Sequence, residues 1–179
     1  MSAQAREIAA AIERVERVLT RSPKSGLHDD APATSRWDGG LRFTACHANG
    51  TQVPSDMPRE LGGSGDCITP GWLFRAGLAS CIGTCIALNA AARGIDLTAL
   101  ELKATSRSDT RGVLGLTEPD GAQVSAGPCE VRLQVRIAAR GVTAEALRAL
   151  VEESNRRSPI SCVVSEPLPL SLEVEVQPS

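Results

Sequence analysis

Thr69-Pro70-Gly71-Trp72-Leu73-Phe74-Arg75-Ala76-Gly77-Leu78-Ala79-Ser80-Cys81 is the stretch on which the reading of this chain turns. Proline suits the first turn of a helix, where its missing N–H would have no intrahelical partner anyway. From Leu73 to Leu88 nearly every residue is apolar or small, which predicts a helix buried almost all round. Cys81 falls about three turns into that helix. A thiol held there is either inert packing or a shielded nucleophile.

Arg93-Gly94 marks the end of the helix, with Gly at the position that accepts a left-handed backbone. Upstream, Thr34 to Trp37 reads as a short strand, Asp38-Gly39-Gly40 as a turn, and Leu41 to His47 as a second strand. Asn49-Gly50 closes another hairpin into Thr51 to Asp56, and a Gly-rich loop, Leu61 to Asp66, leads into the helix. Downstream, Leu97 to Ser106 reads as a strand, and Val131, Leu133, Val135 and Ile137 alternate cleanly as another. Residues 111–128 between them hold Gly and Pro and read as a long hairpin loop. Thr143 suits an N-cap for a helix with Ala146, Leu147, Leu150 and Val151 on one face. Ser158-Pro159 opens a second, short helix, and Leu168, Leu170, Leu172, Val174 and Val176 alternate as a final strand. The order β-β-β-α-β-β-α-β is α+β with mainly antiparallel sheet.

Ahead of this domain (33–179), residues 1–21 form an amphipathic helix whose Ala5, Ile8, Ile12, Val15 and Leu19 make one apolar stripe. Residues 22–32 read as a linker. The 179 residues carry a net charge of −2 with both signs dispersed, two Phe, two Trp and no Tyr. That composition lacks the basic patch and the stacking platforms of a nucleic-acid binder. Arg75 and Asn89 interrupt the one apolar run, so a core helix is expected and no membrane span. Six cysteines without an export signal point to a reducing cytoplasm, and their spacing offers no metal site; no cofactor is implied.

The chain resembles the osmotically inducible protein C/organic hydroperoxide resistance family. The resemblance rests on Trp37-x-Gly39-Gly40-Leu41-Arg42-Phe43, on the Asp56-Met57-Pro58…Leu61-Gly62-Gly63 loop and on the Pro70 to Cys81 helix. Gly94-Ile95-x-Leu97, the Val131 to Ile137 strand and Ser158-Pro159 extend it. It implies antiparallel sheets around a long buried central helix in an intertwined homodimer. Peroxidase members reduce organic hydroperoxides at a cysteine of this helix, matched here by Cys81. A second cysteine in a Cys-Pro motif resolves the sulfenic acid, a Glu follows the helix-opening proline, and an Arg lies near the first hairpin. Here the Cys-Pro position is Ser158-Pro159, and neither Gly71 nor Trp72 is acidic. Arg42 is the leading match for the Arg, and Arg36 the second.

A free thiol has a pKa near 8.5, so a reactive Cys81 needs a cation or good donors beside it. Arg42, Arg36 and Arg75 are the candidates. Cys85, one turn on, makes a poor disulfide partner, whereas Cys162 is the better internal resolving thiol; otherwise an external thiol reductant must serve. Cysteines in apolar elements are usually packing, the expectation for Cys85, Cys46 and Cys129, and Ser158 is most simply an N-cap. Two functions compete: a thiol-dependent hydroperoxide reductase with an apolar pocket around Trp72, Leu73 and Phe74, and a redox-silent dimer binding a hydrophobic small molecule at its interface. A scaffolding role has only the N-terminal helix in its favour.

Overall fold

The computed structural model describes residues 1–166 and 168–177. In chain order the elements are α1 (Ala3–Arg21), β1 (Thr34–Gly39), β2 (Arg42–Cys46), β3 (Gln52–Ser55), α2 (Pro70–Ala92), β4 (Leu97–Arg107), α3 (Thr110–Val113), β5 (Glu130–Ala139), α4 (Ala144–Arg156) and α5 (Pro159–Ser165). The alternation read at 131–137 becomes the longest ladder. β4 and β5 pair antiparallel from Leu97 opposite Ala139 to Arg107 opposite Glu130. One face of that ladder carries Leu100, Leu102, Leu133 and Val135 onto the core formed by α2 and α4, while Glu101, Lys103, Gln134 and Arg136 point to water. A second antiparallel sheet has the order β1-β2-β3. Its first turn needs Gly39 and Gly40, whose φ angles of 106° and 56° disfavour any side chain.

α2 packs against β4, α4, α5 and α1, and its Leu78, Ile82, Ile86 and Ala90 form the core with Leu147 and Leu150 of α4. These α2 positions recur every four residues, so they lie on one side of the helix. By length and composition α2 could cross a membrane, yet here that side is the domain core. The expectation of burial all round is corrected. Trp72, Phe74 and Leu88 are exposed, and Ser80 and Thr84 open to solvent beside them. One chain has a single sheet and three helices to lay against α2, one of them only by its first half, too little to surround it. Gly83 brings β4 close: a Cβ there would stand 3.0 Å from Leu102 Cδ1.

The caps follow the sequence. Ser2 accepts from the Ala5 N–H, and Thr143 accepts from the Ala146 N–H. α2 ends at Ala92, with Arg93 as its C-cap and Gly94 at φ 68°. The first half of the α1 stripe, Ala5, Ile8 and Ile12, is partly covered, while Val15 and Val18 remain exposed. The Ser2 N–H donates to Asp96 Oδ1 at 3.0 Å, fastening the start of α1 beside the exit of α2. The 111–128 excursion holds the single turn of α3, stitched by Arg111 between Asp109 and Glu118.

The final strand does not form within this chain. Residues 168–177 are without regular structure, and Leu168, Leu170, Leu172, Val174 and Val176 are all exposed. A strand exists only through a ladder partner, and no strand of the same chain pairs with this segment among the described residues. The alternating pattern is therefore present while its ladder is missing.

Candidate active site

Thr69 accepts from the Trp72 N–H at 3.2 Å, and Pro70 fills the first helical position, so α2 starts where the sequence indicates. Three turns on, Cys81 lies half-buried on the flank facing the start of α5. Ser158 occupies the N-cap position of α5 with Pro159 behind it, but its side chain does not cap the helix. Its hydroxyl donates instead to Cys81 Sγ at 3.2 Å, and Ser158 is fully buried at 0% exposure. The expected N-cap is found in position only: no backbone N–H of α5 reaches the Ser158 oxygen, and the hydroxyl's hydrogen bond goes to Cys81. Among the described residues Ser158 is the side chain that donates to the Cys81 sulfur, and Cys85, one turn on, also comes within hydrogen-bonding reach of it.

Two further thiols flank the pair. Cys85, half-buried one turn on, approaches the Arg157 carbonyl at 3.9 Å. Burial pushes the Cys85 thiol up, and the neighbouring Cys81 adds to that, so Cys85 stays protonated at neutral pH. Cys162 is exposed, and its S–H points to the Arg156 carbonyl at 3.4 Å. A cleft of about 270 Å³ runs past it, lined also by Asn155, Arg156 and Ser161. Ser158, and not Cys162, is therefore the residue brought to Cys81.

The arginines are held elsewhere. Arg42 donates to Ser64 Oγ at 2.8 Å, forms an ion pair with Asp66, and lies 3.6 Å from Asp56. Arg36 pairs with Asp38 at 3.0 Å, and Arg75 donates to Ser106 of β4 at 3.0 Å. Trp72 and Phe74 are 48% and 37% exposed, and Leu73 is half-buried. In one chain these three make an open surface where a walled pocket is expected. A larger open cleft of about 530 Å³ lies between β5 and α4, lined by residues such as Val135, Leu147 and Val151, and does not include Cys81. Among the described residues no three His, Cys, Asp or Glu converge as a metal would require. Cys129, expected in the core, is exposed, its S–H on the Arg107 carbonyl at 3.2 Å, because it precedes β5.

The loop around Arg42 is a unit the sequence marks only by its Asp-Met-Pro and Gly-Gly residues. Asp56 is buried and accepts from the Met57 and Ser64 N–H groups at 2.7 and 3.1 Å. The Ser64 hydroxyl lies 2.5 Å from a carboxylate oxygen of both Asp56 and Asp66. A Cβ on Gly63 would come within 1.8 Å of the Met57 carbonyl oxygen, so only glycine fits this close approach. Hydrogen bonds from Ser64 hold the Asp56 carboxyl below its ordinary range, and the Arg42 guanidinium does the same for Asp66, aided by Ser64. A lowered carboxyl pKa contributes stability above the unfolded pKa of about 3.9 that is lost as pH falls through the folded value. The urea midpoint of Asp56→Asn is accordingly expected to lie below wild type at pH 7, with the gap closing as pH drops below 4.

The OsmC family model, described as OsmC-like protein, matches residues 63–173, more than half of the chain and the whole of α2. The chain belongs to the OsmC-like family. Solved structures share the OsmC-like fold. An OsmC-like protein from Mycoplasma pneumoniae superposes at TM-score 0.64 with 18% identity, over 79% of this chain and 91% of that one. An organic hydroperoxide resistance protein OsmC from Legionella pneumophila gives 0.56 at 22%, over 78% and 92%. The organic hydroperoxide resistance protein OhrB of Bacillus subtilis gives 0.50 at 20%, over 78% and 93%. No curated protein matches the chain by sequence. Within this OsmC-like chain, the matched segment contains Cys81, Cys85, Ser158 and Cys162 together.

Proposed function

We propose that this OsmC-like protein reduces organic hydroperoxides at Cys81. The observation that supports this most is the fixed hydrogen bond from buried Ser158 to Cys81 Sγ at 3.2 Å. A packing cysteine needs no polar partner, whereas a buried hydroxyl aimed at the sulfur holds it in one fixed orientation. In the step, the Cys81 thiolate attacks the outer peroxide oxygen, the O–O bond breaks, and sulfur becomes a sulfenic acid. The alkoxide that leaves takes up a proton and departs as the alcohol. Names of neighbours such as the organic hydroperoxide resistance proteins of Legionella pneumophila and Bacillus subtilis agree with such a substrate.

The working form we propose is a homodimer. The uncovered side of α2, with Leu73 half-buried and Leu88 exposed, and the unpaired alternating segment 168–176 both supply apolar surface for a second copy. Sedimentation is expected to give twice the chain mass, and a monomer at micromolar concentration would remove this part. The absence of an arginine at Cys81 favours a second reading, a redox-silent dimer holding a hydrophobic small molecule. Peroxide treatment with dimedone separates the two. Cumene hydroperoxide is expected to yield a dimedone adduct on Cys81, and no adduct across pH 6–9 would leave the binding reading in place.

A further inference from the structure

We infer that oxidised Cys81 is returned to the thiol by an external monothiol through a mixed disulfide, and not by a second cysteine of the chain. The inference rests on the proposed chemistry at Cys81 and specifies its co-substrate. The residue in hydrogen-bond contact with Cys81 Sγ is Ser158, fully buried between α2 and α5, and a hydroxyl cannot form an S–S bond. Cys85 shares the helix one turn on. Side chains so spaced keep their Cβ atoms about 5–6 Å apart, while a disulfide requires about 3.5–4.5 Å. Cys162 lies one turn beyond Ser158 along α5, about 6 Å of rise, and its sulfur is turned outward onto the Arg156 carbonyl. Cys81 is itself half-buried on the flank toward α5 and not sealed in the core, so part of it stays open to a small thiol.

The chemistry balances with two thiols. The first attacks the Cys81 sulfenic sulfur, the S–O bond breaks, and water leaves as the mixed disulfide forms. The second attacks the mixed disulfide at the small-molecule sulfur, Cys81 leaves as thiolate, and the small molecule departs as its symmetrical disulfide.

Resolution can be read without peroxide. Wild-type protein and Ser158→Cys are treated with hydroxyethyl disulfide, and intact mass and peptide mapping follow the products. In the wild type, Cys81 is expected to gain one mercaptoethanol unit and to keep it until free mercaptoethanol is added. In S158C the same adduct is expected to collapse, at least ~10-fold faster, to a bond between residues 81 and 158 as mercaptoethanol leaves, ending two hydrogens lighter than the reduced protein. The wild-type result alone decides the matter should the variant not fold. A wild-type bond from Cys81 to Cys85, to Cys162 or to a second chain would overturn the inference, and so would a Cys81 that never takes up the adduct. A persistent adduct alongside no dimedone labelling by cumene hydroperoxide would instead retire the peroxidase reading and keep the external-thiol route.

Discussion

Cys81→Ser is expected to abolish peroxide turnover, by about 10³-fold or more, while the protein remains folded and assembled. A nucleophile has no substitute in a site of this kind, and removing one typically costs several orders of magnitude. The replacement is conservative for structure, because position 81 is half-buried and a hydroxyl there still accepts from Ser158. The measurement is cumene hydroperoxide consumption in the presence of mercaptoethanol, beside the thermal midpoint of each protein. Activity retained above a tenth of wild type would move the chemistry to another cysteine, with exposed Cys162 the first to examine.

Leu150→Ala is expected to lower folding stability by about 2–5 kcal/mol, the cost of deleting a large buried side chain and leaving part of a cavity. Leu150 is 0% exposed and sits in the cluster that joins α4 to Ile82 and Ile86 of α2. Its carbonyl also accepts from Ser154 Oγ at 2.7 Å, and Ser154 in turn accepts from Asn89 of α2 at 2.8 Å. Loss of Leu150 loosens α4, which leads directly into the α5 start that carries Ser158. In a chain of this length each kcal/mol is worth about 2–4 °C, so scanning calorimetry should show a fall of about 4–20 °C. A fall under 2 °C would mean that α4 contributes little to the core.

Much of this was legible in the residues. Proline before an apolar run, Gly94 after it, and alternation at 131–137 each act within a few positions, so local rules find them. Cys81 could be singled out because α2 itself is so distinctive, and the Ser158-Pro159 pair because of the resemblance. What local pattern could not show is which groups meet across 77 positions of sequence, as Ser158 and Cys81 do. The same holds for Arg42, which a strand position places near the first hairpin but which the Asp56-Ser64-Asp66 loop claims in space. Burial of α2 was overread because its composition describes all the surface it covers, whatever chain supplies the cover. Likewise the alternating tail carries the pattern of a strand, while pairing depends on a partner that no strand of this chain supplies among the described residues.

That tail has a thermodynamic consequence. Five large apolar side chains between 168 and 176 stand uncovered, and whatever covers them adds its binding free energy to that of the fold. In the proposed homodimer, folding and association would become one equilibrium, with a melting midpoint that climbs with protein concentration. Dilution would act on such a molecule as a denaturant.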